Sequence, residues 1–264
     1  MKQPAIRRIA VLVSIGRNPV SGVPRYSRND AAALGLAHDL AQGRNVAADI
    51  SIDVIHAGHA DNPALSEYLA LGAARISVIE AAAEQDVLPA LQEQLQGYDL
   101  VPCGSRAESG EASGMLPYQL AARLQLPLLA GAIAITASSG AIVAEQFLPK
   151  GRRREVALSL PALLTVHPLT PSRLRYAYAR LRAGRISSQV FPAGIEQADT
   201  EWRIENVKAL PRKLAAPEKR SGHARMQAAT VAESRGGKVL QEGSAADKAQ
   251  AVLAYLREHH LVDY

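Results

Sequence analysis

One cysteine in 264 residues leaves no partner for an internal disulfide. A covalent framework is therefore excluded, and the composition fits a reducing compartment. One tryptophan and two phenylalanines are too few for the stacking platforms that single-stranded nucleic acids need. No aromatic-basic interleaving of the "KGFGFV" kind occurs either, so no nucleic-acid partner is expected. No apolar run approaches the roughly 18 residues of a membrane span, and the run in "MKQPAIRRIAVLVSIG" is too short for a signal sequence with a cleavage site. These absences lead us to expect a cytoplasmic protein without membrane insertion. Catalytic signatures are missing too: there is no Ser-His-Asp constellation, HExxH or CxxC to support a hydrolase or metal enzyme. The first strand carries neither an "SGGxDS" loop nor a GxGxxG, which argues against a pyrophosphatase-type ligase and a dinucleotide-dependent dehydrogenase.

What is present is an apolar fraction ample for a buried core and a local excess of basic charge. Lys and Arg outnumber Asp and Glu by 30 to 25, and the surplus sits in "KGRRR" (150–154), in 173–185 and in 208–225. Charge so concentrated suggests a partner-facing surface. "HAGH" (56–59) sets two histidines at a strand end with no carboxylate or cysteine in a ligand-like spacing, and reads as a satisfied loop histidine pair. Cys103, at a strand-to-loop junction, reads as a small core residue.

Four nearly continuous apolar runs, "RIAVLVSI" (8–15), "DISIDVIHAG" (49–58), "RISVIE" (75–80) and "YDLVPCG" (98–104), read as strands buried on both faces. Each precedes a helical pattern: 30–41, 63–73, 86–97 and 116–125. This alternation predicts an α/β fold with a Rossmann-like open parallel sheet and helices on both faces. Beyond Pro127, "AGAIAITASSGAIVAEQF" predicts two strands about a Ser-Ser-Gly turn and "REVALSLPALLTV" a further one, extending the sheet in antiparallel fashion. From about 186 the chain reads as irregular, with one more strand candidate at "WRIENVKAL" (202–210). We expect a nucleotide-binding domain over 1–210 and a C-terminal arm over 211–264. The arm ends in an amphipathic helix capped by Ser244 and Asp247, with Val252, Leu253 and Leu256 on one face.

Ligands of an open parallel sheet bind beyond the carboxyl ends of its strands. "GSRAESGEAS" (104–113) occupies such an end, where glycines let backbone N–H groups turn toward a phosphate and a helix follows. By composition alone the segment also reads as a plain strand-to-helix connection. Its company, "YSRND" after the first strand and "HAG" after the second, makes three strand-end loops able to enclose one nucleotide.

Those loops carry a resemblance. "GSRAESGEAS" is similar to the "GKQAIDGDT" loop of the beta subunit of electron-transfer flavoproteins, and "LPYQLAARLQLP" to the "VGPELAELLGLP" that follows it there. "SRNDAAALGLAHDL" resembles "NPFDEYALEEALRL", "YLALGAARISVI" resembles "ALAMGADRAIHI", and "LPALLTV" resembles "LPAVVTV". The tail "GGKVLQEGSAADKAQAVLAYL" is like "GGKIVEGDPEEAAEELVRLL". The match runs in order along nearly the whole chain. It implies the adenine-nucleotide α-hydrolase-like version of the fold and an electron-carrier subunit, not an enzyme. It further implies a heterodimer with an alpha subunit that holds most of an FAD, and a structural AMP on this subunit. Flavin-dependent dehydrogenases would donate electrons, and a quinone oxidoreductase of the respiratory chain would accept them.

Carried over by position, the implied nucleotide site takes Leu12 and Ser14 after the first strand, Ser27, Arg28, Asn29 and Asp30 at the next helix, and Ala57 after the second strand. Gly104, Ser105, Arg106, Ala107 and Glu108, then Ser109, Gly110, Glu111, Ala112 and Ser113, form the phosphate loop. The family's Lys after the first loop glycine is Ser105 here, and Arg106 can restore its charge. "HPLTPSRLRYAYARLRAGR" (167–185) resembles the donor-recognition segment, with Leu181 as anchor and Tyr178 behind it. Helical spacing alone allows Leu174, Tyr178 and Leu181 to pack against their own sheet instead. The alternative to the flavoprotein reading is a stand-alone adenine-nucleotide sensor of the universal-stress type, although its late "GxxGxxxxxxxxGS" loop is not found.

Overall fold

The computed structural model describes residues 6–43, 50–82, 85–110, 112–138, 141–190, 221–223, 226, 240–258 and 261–262. The chain divides into two compact units, residues 1–201 and 202–264. In the first, strands β1 (Arg8–Leu12), β2 (Ile15–Arg17) and β3 (Pro24–Tyr26) precede helix α1 (Arg28–Ala41). Then β4 (Ser51–Gly58), α2 (Leu65–Leu71), β5 (Arg75–Glu80), α3 (Leu88–Gln94), β6 (Leu100–Gly104) and α4 (Leu116–Leu124) alternate as their patterns predict. There follow β7 (Leu128–Ser138), β8 (Ala141–Phe147), β9 (Arg153–Ser159), β10 (Ala162–Val166), α5 (Tyr178–Ala183) and β11 (Arg185–Gln189).

Nine of these strands form one sheet in the order β11-β5-β4-β1-β6-β10-β7-β8-β9, with β2 and β3 a separate hairpin. Alternation along β1 divides the core. Ile9 and Val11 join Leu34 and Leu65 in one apolar layer, while Ala10 and Leu12 join Leu91 and Leu120 in the other. Leu34, Leu65 and Leu120 are fully buried, each contributing about 1.5–3 kcal/mol. Small residues of α1 (Ala31, Ala32, Ala33, Gly35, Ala37) face inward, so that helix lies close to the sheet.

The structure changes the reading of the second half. "REVALSLPALLTV" is two strands, not one. β9 pairs antiparallel with β8 at the sheet edge, whereas β10 enters the sheet centre parallel to both β6 and β7. The break falls at Pro161, which offers no ladder donor. Only β8 and β9 form the expected antiparallel extension, since β7 runs parallel to β10. The sequence reads as irregular from about 186, yet Arg185–Gln189 form β11 beside β5. The candidate strand 202–210 lies outside the described residues, as does most of the arm before 240. The second unit contains helix α6 (Ala245–Glu258), whose Ser244 and Asp247 cap each other as predicted, the Ser244 N–H donating to Asp247 Oδ2 at 2.9 Å.

Candidate functional site

Strand order reverses at β1, which has β4 on one side and β6 on the other, so the carboxyl ends of β1 and β6 are the switch point beyond which a sheet of this kind forms its ligand crevice. The N-terminus of α1 enters this crevice. Ser27 caps the helix by accepting from the Asp30 N–H at 3.3 Å. The two residues between Arg28 and Ala31 then reach across three strand ends. Asp30 Oδ2 accepts from the Ser14 N–H at 2.8 Å and its hydroxyl at 2.5 Å, after β1. Asp30 Oδ1 accepts from the Gly104 N–H at 2.9 Å, at the end of β6. Asn29 Oδ1 accepts from the Ser105 N–H and hydroxyl at 2.6 and 2.8 Å, while its Nδ2 donates to Val166 O at the end of β10.

Asp30 is 4% exposed, and burial raises its carboxyl from 3.8 to about 6 despite the hydrogen bonds that favour the ionised form. Gly104 is required here: a Cβ on it would sit 2.2 Å from Asp30 Oδ1. From α2, the buried Tyr68 hydroxyl donates to Ser14 O at 2.7 Å and accepts from the Ser27 N–H at 2.9 Å. Neither Tyr68 nor the β2–β3 hairpin stands out in the sequence. Tyr68 reads as one more core position in "YLALG", and strands of three residues are too short to show a period.

That hairpin holds the phosphate-type loop. Arg25 pairs with Glu108 at 2.6 Å, and the Arg28 N–H donates to Glu108 Oε1 at 3.4 Å. Ser109 donates its hydroxyl to Ile15 O. The loop hydroxyls therefore differ in what they offer: those of Ser105 and Ser109 are committed to protein acceptors, whereas Ser113 Oγ accepts from the Met115 N–H. Among the described residues the Ser113 hydroxyl has no acceptor for its own proton.

Among the described residues, no hydrogen bond is made by the backbone N–H groups of Arg106, Ala107, Glu108, Ser109 and Gly110, and Arg106 has an exposed side chain with no partner. Left-handed conformations at Gly110 (φ 70°), Ala112 (φ 48°) and Gly114 (φ 74°) curl the segment back on itself. Open N–H groups in a curled loop, beside one unpaired guanidinium, suit a phosphate. Glu108 does not oppose it, being already paired with Arg25. Leu12 is buried at the end of β1, and Ala57 is half-buried near the end of β4. Glu111 lies outside the described residues.

Nearby titratable groups are quiet. The His56 Nδ1–H donates to Val13 O at 2.9 Å, and burial lowers the ring below its ordinary value. Cys103 is buried and its thiol is pushed well up, so it behaves as a core residue. No cluster of His, Cys, Asp and Glu among the described residues is arranged to hold a metal. No described helix is long and apolar enough to cross a membrane. Away from the crevice, α5 docks on α2 through the Ala177 N–H to Ala70 O at 2.9 Å. The three candidates for a packed face separate: Leu174 packs on the core, Leu181 is half-buried, and Tyr178 is 64% exposed.

A doubly wound sheet whose switch-point loops are braced by one helix terminus, with an N–H-rich loop beside them, defines an α/β protein of the Rossmann-like class. The comparisons place it further. The electron transfer flavoprotein domain family matches residues 25–183. Over 266 residues, covering 98% of this chain and 97% of the relative, the sequence is 35% identical to the electron transfer flavoprotein subunit beta of Chromohalobacter salexigens. The chain belongs to the electron transfer flavoprotein family and groups with its beta subunits.

Proposed function

We propose that this chain is the beta subunit of a heterodimeric electron carrier, holding a structural AMP beyond β1 and β6 while an alpha subunit holds most of one FAD. Flavin-dependent dehydrogenases supply the electrons, and a quinone oxidoreductase of the respiratory chain receives them. The observation that carries the reading is the convergence of Ser14, Ser27–Asp30 and the loop residues Gly104, Ser105, Glu108 and Ser109 at one switch point, in a chain matched over 98% of its length by a beta subunit.

In this reading the residues divide their work. Asn29, Asp30 and Tyr68 hold the strand ends in register, while Glu108 and Ser109 hang the loop on the β2–β3 hairpin. The N–H groups of 106–110, with Arg106 and Ser113, are then left to receive the phosphate. Bound there, AMP supplies no redox chemistry and adds stability by favouring the folded state. The flavin supplies the redox step. Tyr178 and Leu181, on the exposed segment between β10 and β11, are the proposed donor contact.

The test is co-expression of this chain with its alpha-subunit candidate, followed by measurement of flavin and AMP per dimer. One of each is expected. A soluble homodimer that binds an adenine nucleotide without flavin would replace this reading with the sensor alternative.

A further inference from the structure

The hairpin between β8 and β9 lies far along the sheet from the β1–β6 crevice, at the edge where β9 is the last strand. It turns through Pro149, Lys150 and Gly151, with Lys150 at φ 60° and Gly151 at φ 73°. Arg152, Arg153 and Arg154 follow, all exposed. Four cations thus stand within five residues, flanked by Glu145 and Glu155. What holds these cations matters more than their number. Arg154 donates through Nη2 and Nε to Gln146 Oε1 at 2.6 and 3.0 Å, and Gln146 is itself fixed by donating to Ala130 O at 2.8 Å. Arg152 donates from Nε to Pro149 O at 3.4 Å. Arg153 lies 4.6 Å over the Phe147 ring, which also stacks on His167 with centroids 3.8 Å apart. Of these four cations, Arg153 alone has a carboxylate partner among the described residues, Glu145 at 3.4 Å.

Arg154 is therefore held by a neutral group that fixes its position without cancelling its charge, and Arg152 is tethered by one long bond to a neutral carbonyl. Ordering such side chains is a cost that binding usually bears, and here the fold has met much of it already. Blocking of edge-to-edge pairing is a second use for charge on an edge strand. The distribution argues against it, because the outer half of β9, Val156–Ser159, carries no charge. A single nucleic-acid strand would need an open aromatic face to stack on, and the Phe147 ring is already engaged by His167 and Arg153.

We propose that the β8–β9 hairpin is a docking surface for an acidic face of a protein partner, with Arg152 and Arg154 as the carboxylate-reading pair. It is distinct from the nucleotide crevice and does not depend on that site's occupancy.

Binding of a fluorescein-labelled oligoglutamate peptide to the full-length protein, followed by anisotropy at low and at physiological salt, tests the proposal. Arg152→Gln with Arg154→Gln should weaken binding about tenfold at low salt and flatten its salt dependence. Arg152→Lys with Arg154→Lys should keep most of it. A charge-matched control, Arg123→Gln with Lys248→Gln, should change little. Thermal melting of each variant confirms the fold. Equal losses in the hairpin and control variants would overturn the proposal, as would tighter, hairpin-dependent binding of single-stranded DNA or of phosphatidylserine vesicles than of the peptide.

Discussion

Replacing Asp30 by asparagine tests the brace at the switch point through its pH dependence. In the folded chain the carboxyl titrates at about 6, against an ordinary value of 3.8. The folded state therefore binds this proton more tightly than the unfolded state does. Between about pH 4 and 6 the native protein carries the proton while the unfolded chain has lost it, so stability falls as pH rises through that window. At about 1.4 kcal/mol per pH unit, Asp30 alone lowers stability by about 3 kcal/mol across it. The amide introduced by Asp30→Asn cannot titrate and removes this slope, but it adds a constant cost. Its single acceptor can serve Gly104 or Ser14, and one buried N–H is left facing an amide NH2, at about 1–3 kcal/mol. Urea unfolding of both proteins at half-unit steps from pH 4 to 7.5 gives the difference curve directly. The variant should be clearly the weaker protein near pH 4 and should recover most of that deficit by pH 7. A difference that is flat with pH would refute the assignment of the raised carboxyl to Asp30. One that grows with pH would show that hydrogen bonds from Ser14 and Gly104 outweigh burial.

Gly104→Ala drives a methyl into Asp30 Oδ1 and should cost about 2–4 kcal/mol, read by denaturant unfolding, with loss of any bound nucleotide. Arg106→Ala should change unfolding little, because the side chain is exposed and makes no hydrogen bond or ion pair among the described residues, while weakening retention of AMP about tenfold to a hundredfold in equilibrium dialysis. Leu181→Ala should slow electron acceptance from a reduced dehydrogenase with a melting shift of only a few degrees, since the side chain is half-buried; a loss of about 2–4 kcal/mol would instead assign it to the core. Deleting residues 237–264 should leave a folded first unit with unchanged melting while co-purification with the alpha subunit is lost, because α6 has no buried residue of its own.

How far the sequence discloses the fold follows from burial. β1, β4, β5 and β6 are strands covered on both sides, so their apolar runs are nearly continuous and their ends fall within a few residues of the expected ones. β10 is just as apolar, with all five residues buried, but its run merges with β9 across Pro161, and nothing local tells a chain whether to continue a meander or cross to the sheet centre. That choice is made by pairing with β6, about sixty residues earlier in the chain, and such non-local contacts leave no periodic trace. β11 is hidden for the opposite reason. "RISSQ" is mostly exposed and polar, and its strand character comes from the open edge of β5 beside it.

At the site, polar residues at strand ends mark the right positions but not their division of labour. Ser14, Asn29, Asp30, Gly104 and Ser105 read from sequence as groups turned toward a ligand, yet their hydrogen bonds run to one another. Such mutual satisfaction is what a buried polar cluster requires, since each unpaired member would cost about 1–3 kcal/mol. In the proposed reading, recognition of a nucleotide is therefore left to other groups. Those that brace the strand ends determine where the loop stands, and among the described residues of the loop the N–H row of 106–110 with Arg106 and Ser113 is left over from the brace with donors to offer. Spacing cannot separate the two sets, because Ser105 and Ser113 are chemically alike and sit in the same loop. What separates them is that Asn29 lies within 2.8 Å of one hydroxyl and no comparable acceptor is described for the other.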